Sequence, residues 1–187
     1  MSDNANIHPA IQPVQLQRLY QVSKVIHSTL DQQEALDLIV REAVGLVGAT
    51  TGSVVLINPS DGFLEIQTAH GLPDGSSRLK LRVGEGITGW VAQQGKPALV
   101  PDVREDARYV PVHDHARSEL AVPLEVNGSV RGVINVDSDQ LNAFSETDQA
   151  LLTELASQAA TVIHNAFLYE RSRIRADLFE SLITVSQ

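Results

Sequence analysis

The stretch Ser118–Ser138, SELAVPLEVNGSVRGVINVDS, decides how this chain reads. It consists of two apolar runs joined at Asn127-Gly128, and Asn-Gly favours a two-residue hairpin turn because both central positions of that turn want φ > 0. Leu120, Val122 and Leu124 share one face of the first run, and Val130, Gly132, Ile134 and Val136 share one face of the second, in the period of two that strands impose. Apolar residues also fill most alternate positions (Ala121, Pro123, Val133), as expected of central strands covered on both faces. Pro123 has no amide N–H to offer a neighbour, so it is expected at a bulge or facing an unpaired edge.

Working outward, Gly52–Asn58 (GSVVLIN) and Gly62–His70 (GFLEIQTAH) are strand-like runs separated by Pro59-Ser60-Asp61, a turn by composition. They are predicted to pair as a second hairpin. Leu79–Val83 and Ala98–Val100 add two short strands, and Glu85–Gln94 between them reads as a short helix ended by Gly95 and Pro97. Gly84 and Gly86 ahead of that helix raise a phosphate reading. Gly84, Gly86 and Gly89 have the spacing G-x-G-x-x-G, but no P-loop lysine follows, and helix start and tight packing are the expected reasons for the glycines. Trp90, the single tryptophan, is expected as a core residue packed under the sheet.

The ends of the chain read as helices. Leu16, Leu19, Ser23, Ile26 and Leu30 follow a 3/4 spacing, and Asp31 with Glu34 forms a capping box for a second helix whose face is Leu36, Ile39, Val40, Ala43 and Val47, stopped by Gly48. Ser145 with Asp148 opens a long last helix through Leu152, Leu155, Ala159, Val162, Ala166 and Tyr169, and its apolar pattern resumes at Ile174, Leu178, Leu182 and Val185. The expected fold class is α+β: a central antiparallel six-stranded sheet flanked by helices, with long N- and C-terminal helices. Residues 1–15 read as a flexible lead-in, 16–169 as one domain, and 170–187 as a linker helix.

Composition narrows the chemistry. Hydrophobic residues at 43% and charged residues at 20% are the balance of a globular protein, and the apolar runs are strand-sized rather than the ~20 residues of a spanning helix. With no charged-then-apolar leader in view, a cytoplasmic location without membrane contact is expected. A net charge of −9 opposes a phosphate backbone, so nucleic acid is not an expected partner. The absence of cysteine excludes thiol nucleophiles, disulfides, iron–sulfur clusters and thioether-linked chromophores.

Three motifs in order carry a family resemblance. Glu85–Val91 (EGITGWV), Asp102–Tyr109 (DVREDARY), and the run SELAVPL, GVINVDS and NAFSETD of residues 118–148 resemble the middle helix, the following loop and the closing half of a GAF domain, a small regulatory sensor module with a GAF/PAS-like sheet. The resemblance spans about Leu16 to Tyr169. It implies a small-molecule pocket between the sheet, the middle helix and the long loop. Carried onto this chain, the implied lining is Ser53 and Val55 from the first strand, Ile87, Thr88 and Val91 from the middle helix, Tyr109 and His113 from the loop, and Ser118, Leu120 and Asn135 from the hairpin. Cyclic-nucleotide-binding relatives carry N-K-x-F-x-x-x-D-E. Here Asn142-Ala143-Phe144 lacks the lysine and Gln149 follows Asp148, so that signature is incomplete. Relatives that attach a bilin or reduce methionine sulfoxide use cysteines, which this chain does not have, and the resemblance leaves any cofactor unknown.

No catalytic residue or metal ligand is assigned from the sequence. His113 and His115 flank Asp114 on the long loop in a spacing that could hold a metal, but polar residues on a solvated loop account for them equally well. Asp137 with Asp139, or Asp102 with Asp106, could be paired acids, and nothing in the sequence raises their pKa values. The apolar stripes of the terminal helices imply a homodimer, with an output domain attached beyond the last helix. Two functions remain open: a ligand-sensing module, and the same fold with an empty pocket serving as a dimerising spacer. A third, an enzyme using the His113/His115 loop, requires a metal.

Overall fold

The computed structural model describes residues 12–28, 32–73, 75, 80–111 and 115–164. In chain order the elements are α1 (Pro13–Ser28), α2 (Gln32–Val47), β1 (Thr51–Ile57), β2 (Phe63–His70), β3 (Lys80–Arg82), α3 (Gly86–Gln94), β4 (Ala98–Val100), β5 (Ser118–Val126) and β6 (Ser129–Ser138), followed by α4 over residues 146–164. The expectations for Leu30, Asp31, Ala166, Tyr169, the lead-in before residue 12 and the linker helix of 170–187 fall outside the described residues.

The six strands form one sheet in the order β3-β2-β1-β6-β5-β4, with every neighbouring pair antiparallel. The predicted hairpin supplies β5 and β6, two of its four interior strands. Asn127 and Gly128 both take positive φ, 52° and 74°, as the two-residue turn demands. β4 pairs with β5 only over Glu119–Ala121, and the β5–β6 ladder shifts register between Leu124 and Glu125. Pro123 therefore stands past the end of β4 and beside the bulge, where a missing N–H does least harm.

Strand alternation splits the interior into two cores. Val54 and Leu56 of β1, Leu120, Val122 and Leu124 of β5, and Ile134 and Val136 of β6 face α2 and α4, meeting Leu36, Ile39, Val40, Leu151, Leu152 and Leu155. The other face carries Val55, Leu64, Ala121 and Val133 against Ile87 and Val91 of α3 and Val103 of the loop after β4. α1 lies outside α2, with Leu19 buried in the first core, while Val14, Leu16 and Tyr20 are exposed. Among the described residues no helix is long and apolar enough to cross a membrane.

Local signals hold the helices in place. Asp148 N–H donates to Ser145 Oγ (3.3 Å) and Ser145 N–H donates to Asp148 Oδ2 (2.8 Å), the reciprocal pair that opens α4. α2 stops at Gly48, whose φ of 65° lets Ala49 N–H reach back to the Val44 carbonyl at 3.0 Å. Gly89 and Gly132 are glycines for lack of space: an added Cβ would lie 2.5 Å from the Arg82 carbonyl oxygen and 2.2 Å from the Val55 carbonyl oxygen, respectively.

A pair of substitutions tests this packing. Gly132→Ala forces β6 away from β1 and is expected to lower stability by about 1–3 kcal/mol in urea unfolding. Gly45→Ala lies in α2 where a Cβ meets nothing within 4 Å, and is expected to raise stability by about 0.5–1 kcal/mol.

Candidate functional site

The sheet face that carries α3 is not fully packed. Two adjoining small hollows lie between β1, β2, β6, α3 and the loop after β4. Ser53, Val55, Leu64, Ile66 and Leu72 line the first, and Gly86, Ile87, Tyr109, Val110, Ala116 and Glu119 the second. Leu81, Thr88, Asn135 and Asp137 border both, so the pair forms one groove with an apolar end and an acidic end.

The acidic end follows from register. Glu119 and Asp137 are directly paired across β5 and β6, and Ala121 is paired with Asn135, so these residues share the α3 face. Glu119 is 5% exposed and Asp137 6%. Burial, reinforced by the charge of Asp137, holds the Glu119 carboxyl well above the usual carboxylate range, against weaker opposing effects from the Arg108 charge and a hydrogen bond with Thr88. Asp137 Oδ2 accepts from Thr51 Oγ1 and from Asn135 Nδ2, each at 3.3 Å. Asn135 Oδ1 is buried without a hydrogen-bond partner.

The loop after β4 forms one wall and is tied to the body. Val103 N–H donates to the Arg117 carbonyl (2.9 Å), Arg117 approaches Asp102 at 3.5 Å, and Arg104 N–H donates to Asp102 Oδ1 (3.0 Å). Arg108 grips Asp106 through Nε (2.9 Å) and Nη2 (2.6 Å), and its guanidinium lies 4.5 Å from the centre of the Trp90 ring. The Arg108 hydrogen bonds pull the Asp106 carboxyl below its ordinary value. Trp90 departs from expectation. It is half-buried at the margin of the second core, because its outer face is covered by Arg108 rather than by the sheet.

Of the residues named from the sequence, Ser53, Val55, Ile87, Thr88, Tyr109 and Asn135 border the groove. Val91 is wholly buried in the second core, where it supports α3 without reaching the groove. Ser118 and Leu120 stand one position out of phase on β5. Leu120 faces the α2–α4 core, and Ser118 Oγ donates to the Gln140 carbonyl at 2.8 Å, holding the exit from β6. His113 and Asp114 fall outside the described residues, and His115 is exposed. Glu119 was missed. Its signal lay in the alternation: if Leu120, Val122 and Leu124 share one face, Glu119 belongs to the other, beside Asn135 and Asp137.

With the groove described, similarity to known proteins bears on what it serves. A family profile described as GAF domain matches residues 29–164. The chain belongs to the GAF domain family. Its sequence relatives include the Nif-specific regulatory protein of Azospirillum lipoferum, 30% identical over 132 residues, which cover 66% of this chain and 21% of that protein. The GAF domain from an Acinetobacter phosphoenolpyruvate-protein phosphotransferase superposes with a TM-score of 0.77 at 25% identity, covering 84% of this chain and 97% of that one. The fold also occurs in an enzyme. The free methionine-R-sulfoxide reductase of Neisseria meningitidis, solved with its substrate, superposes with a TM-score of 0.73 at 23% identity over 83% of this chain and 93% of that one. This GAF domain thus spans about a fifth of the regulatory protein it matches.

Two measurements check the site. Because folding raises the Glu119 pKa, ionising that group costs stability, beginning as pH climbs past its ordinary value of 4.5 and complete once pH passes the folded value. The melting temperature of the native GAF domain should therefore fall relative to Glu119→Gln as pH rises through that window, and the difference should vanish below it. Arg108→Ala uncovers one face of Trp90, the only tryptophan, and should shift its emission to the red. An unchanged spectrum would mean that the loop does not sit on Trp90 in solution.

Proposed function

We propose that this GAF domain is the regulatory sensor of a signal-transduction protein. It binds a small molecule in the groove between the sheet and α3 and passes the change through paired helices of a homodimer to an attached output domain. The observation that carries this reading is the unfilled groove, whose apolar walls and few convergent polar groups are the makeup of small-ligand sites. The proposed contacts are Ser53, Val55, Ile87, Thr88, Tyr109 and Asn135, together with Glu119 and Asp137. Similarity to a regulatory protein of which such a domain makes up about a fifth supports a regulatory role rather than a catalytic one. Sulfoxide reduction by thiols has no counterpart in a chain without cysteine.

Dimerisation is supported by α1, where Val14 is 74% exposed, Leu16 58% and Tyr20 61%, a set of apolar side chains that a second copy would cover. Communication has a short route. Asp137 borders the groove, its carboxylate accepts from Thr51 Oγ1, and its carbonyl accepts from Thr50 N–H at 2.8 Å. Thr50 and Thr51 lie where α2 gives way to β1, and α2 packs on α1. A ligand that favours one placement of Asp137 would bias that junction and the helices attached to it.

Native mass spectrometry of the freshly purified chain tests this reading. A dimer carrying a stoichiometric extra mass is expected, with the extra mass lost in Thr88→Ala or Tyr109→Ala while the dimer persists. A bare dimer unresponsive to any small molecule favours the empty-pocket spacer, and a monomer removes the route through the helices.

A further inference from the structure

The turn that joins β5 to β6 carries a reactive pair of residues. We propose that Asn127 is a self-modification site in the folded protein: its side-chain amide is lost by cyclisation onto the Gly128 backbone nitrogen, and the isoaspartyl product loosens the β5–β6 ladder. The reaction needs no enzyme and no partner other than water, and it is independent of what the groove binds.

A side-chain amide can be attacked by the next backbone nitrogen only where that nitrogen is within reach and uncommitted. Among the asparagines of the chain, Asn127 alone is followed by glycine. Gly128 has no Cβ, and one added there would meet nothing within 4 Å, so the approach to its nitrogen is open. Asn127, Gly128 and Ser129 are all exposed to water, and the two central residues hold positive φ of 52° and 74°. Among the described residues, no backbone carbonyl engages the Gly128 N–H.

Two other turns contain similar residues and are held. Asn142 is exposed and has the same φ of 52°, yet the nitrogen that follows it belongs to Ala143, which carries a methyl group and donates to Ser118 Oγ at 3.4 Å. Asn142 N–H is itself tied to the Pro101 carbonyl at 2.8 Å. At Asp61-Gly62 a carboxyl could close the same ring, but the Gly62 N–H donates to the Asn58 carbonyl (2.9 Å) and Asp61 Oδ1 accepts from the Phe63 N–H (3.0 Å). Asn135 lies inside β6, paired on both sides with β1 and β5. Structure therefore singles out the hairpin turn from the positions that share part of its chemistry.

The step balances without an oxidant or reductant. The Gly128 nitrogen attacks Asn127 Cγ, the N–Cγ bond forms, the Cγ–Nδ2 bond breaks, and the Gly128 amide proton leaves with Nδ2 as ammonia, closing a cyclic imide. Water then opens the ring on either side. Opening at Cγ restores the ordinary backbone with aspartate at 127, and Asp-Gly keeps the preference for the two-residue turn. Opening at the Asn127 backbone carbonyl carbon routes the chain through Cβ and Cγ, which lengthens the turn by one backbone atom. Turn geometry sets the register of a hairpin, and the pairs closest to this turn are Val126 with Ser129 and Glu125 with Val130. Either product adds a negative charge to the turn.

The test ages the full chain in mildly alkaline buffer, folded and, in parallel, unfolded in urea, and maps its peptides by mass spectrometry with enzymatic labelling of isoaspartate. Conversion of the folded chain is expected at Asn127 before any other asparagine, with ammonia released in step. Asn127→Gly, which keeps a turn-forming Gly-Gly pair, should carry no label in this peptide. The isoaspartyl form, separated by ion exchange, should melt below Asn127→Asp, and Asn127→Asp should melt with the unmodified chain. Conversion that appears first at Asn142, is absent at Asn127, or occurs at Asn127 only in urea would overturn the site. An isoaspartyl form that melts together with Asn127→Asp would overturn its effect on the ladder.

Discussion

The β5–β6 ladder is the constraint on which the rest depends. It runs from the Ser118–Ser138 pair to the Asn127-Gly128 turn, and its alternation assigns every side chain to one of two unlike environments. One face receives α2 and α4 and is closed by leucine, isoleucine and valine, the arrangement that apolar burial at roughly 25 cal/mol per Å² rewards most. The other face receives a single short helix and a long loop, too little material to close it, and the groove lies there. A one-residue slip of β5 would turn Glu119 into the helix-packed core and bring its leucines to the groove.

That second face keeps two carboxyl groups, those of Glu119 and Asp137, out of water. A buried acid is costly to ionise, and burial with the neighbouring Asp137 charge holds the Glu119 carboxyl well above its ordinary range. Arg108 would be the obvious counterion. Its hydrogen bonds to Asp106 and its stacking on Trp90 commit it to holding the loop in place instead. The same side chain thus shapes the wall of the groove, beside the buried Glu119 and Asp137.

Membership of the GAF family agrees with this division of labour. The helix-packed face holds the larger core, and the α3 face holds the groove. A fold shared by the GAF domain of a phosphotransferase and by a sulfoxide reductase does not assign an activity, so the reading of this chain rests on the residues in its own groove. Here those residues are acids, an amide and a threonine over an apolar floor, with no thiol available.

Much of the architecture was legible in the chain. Short-range rules act on neighbours in sequence, so the Asn127-Gly128 turn, the Ser145/Asp148 cap, the Gly48 and Gly95 helix stops and the strand alternation all follow from residues a few positions apart. The resemblance implied a pocket between the sheet, the middle helix and the loop, and Thr88, Tyr109 and Asn135 border the hollow that lies there. Tertiary structure alone decided which face of β5 meets α3: alternation divides Glu119 from Ser118 and Leu120 but does not say which set turns toward the helix-packed core. It alone set Arg108 on Trp90, because that contact joins a loop to a helix through packing rather than through spacing. The pairing of Glu119 with Asp137 was hidden for the same physical reason, since an acid's environment depends on what the sheet brings beside it, and the sequence carries only the acid.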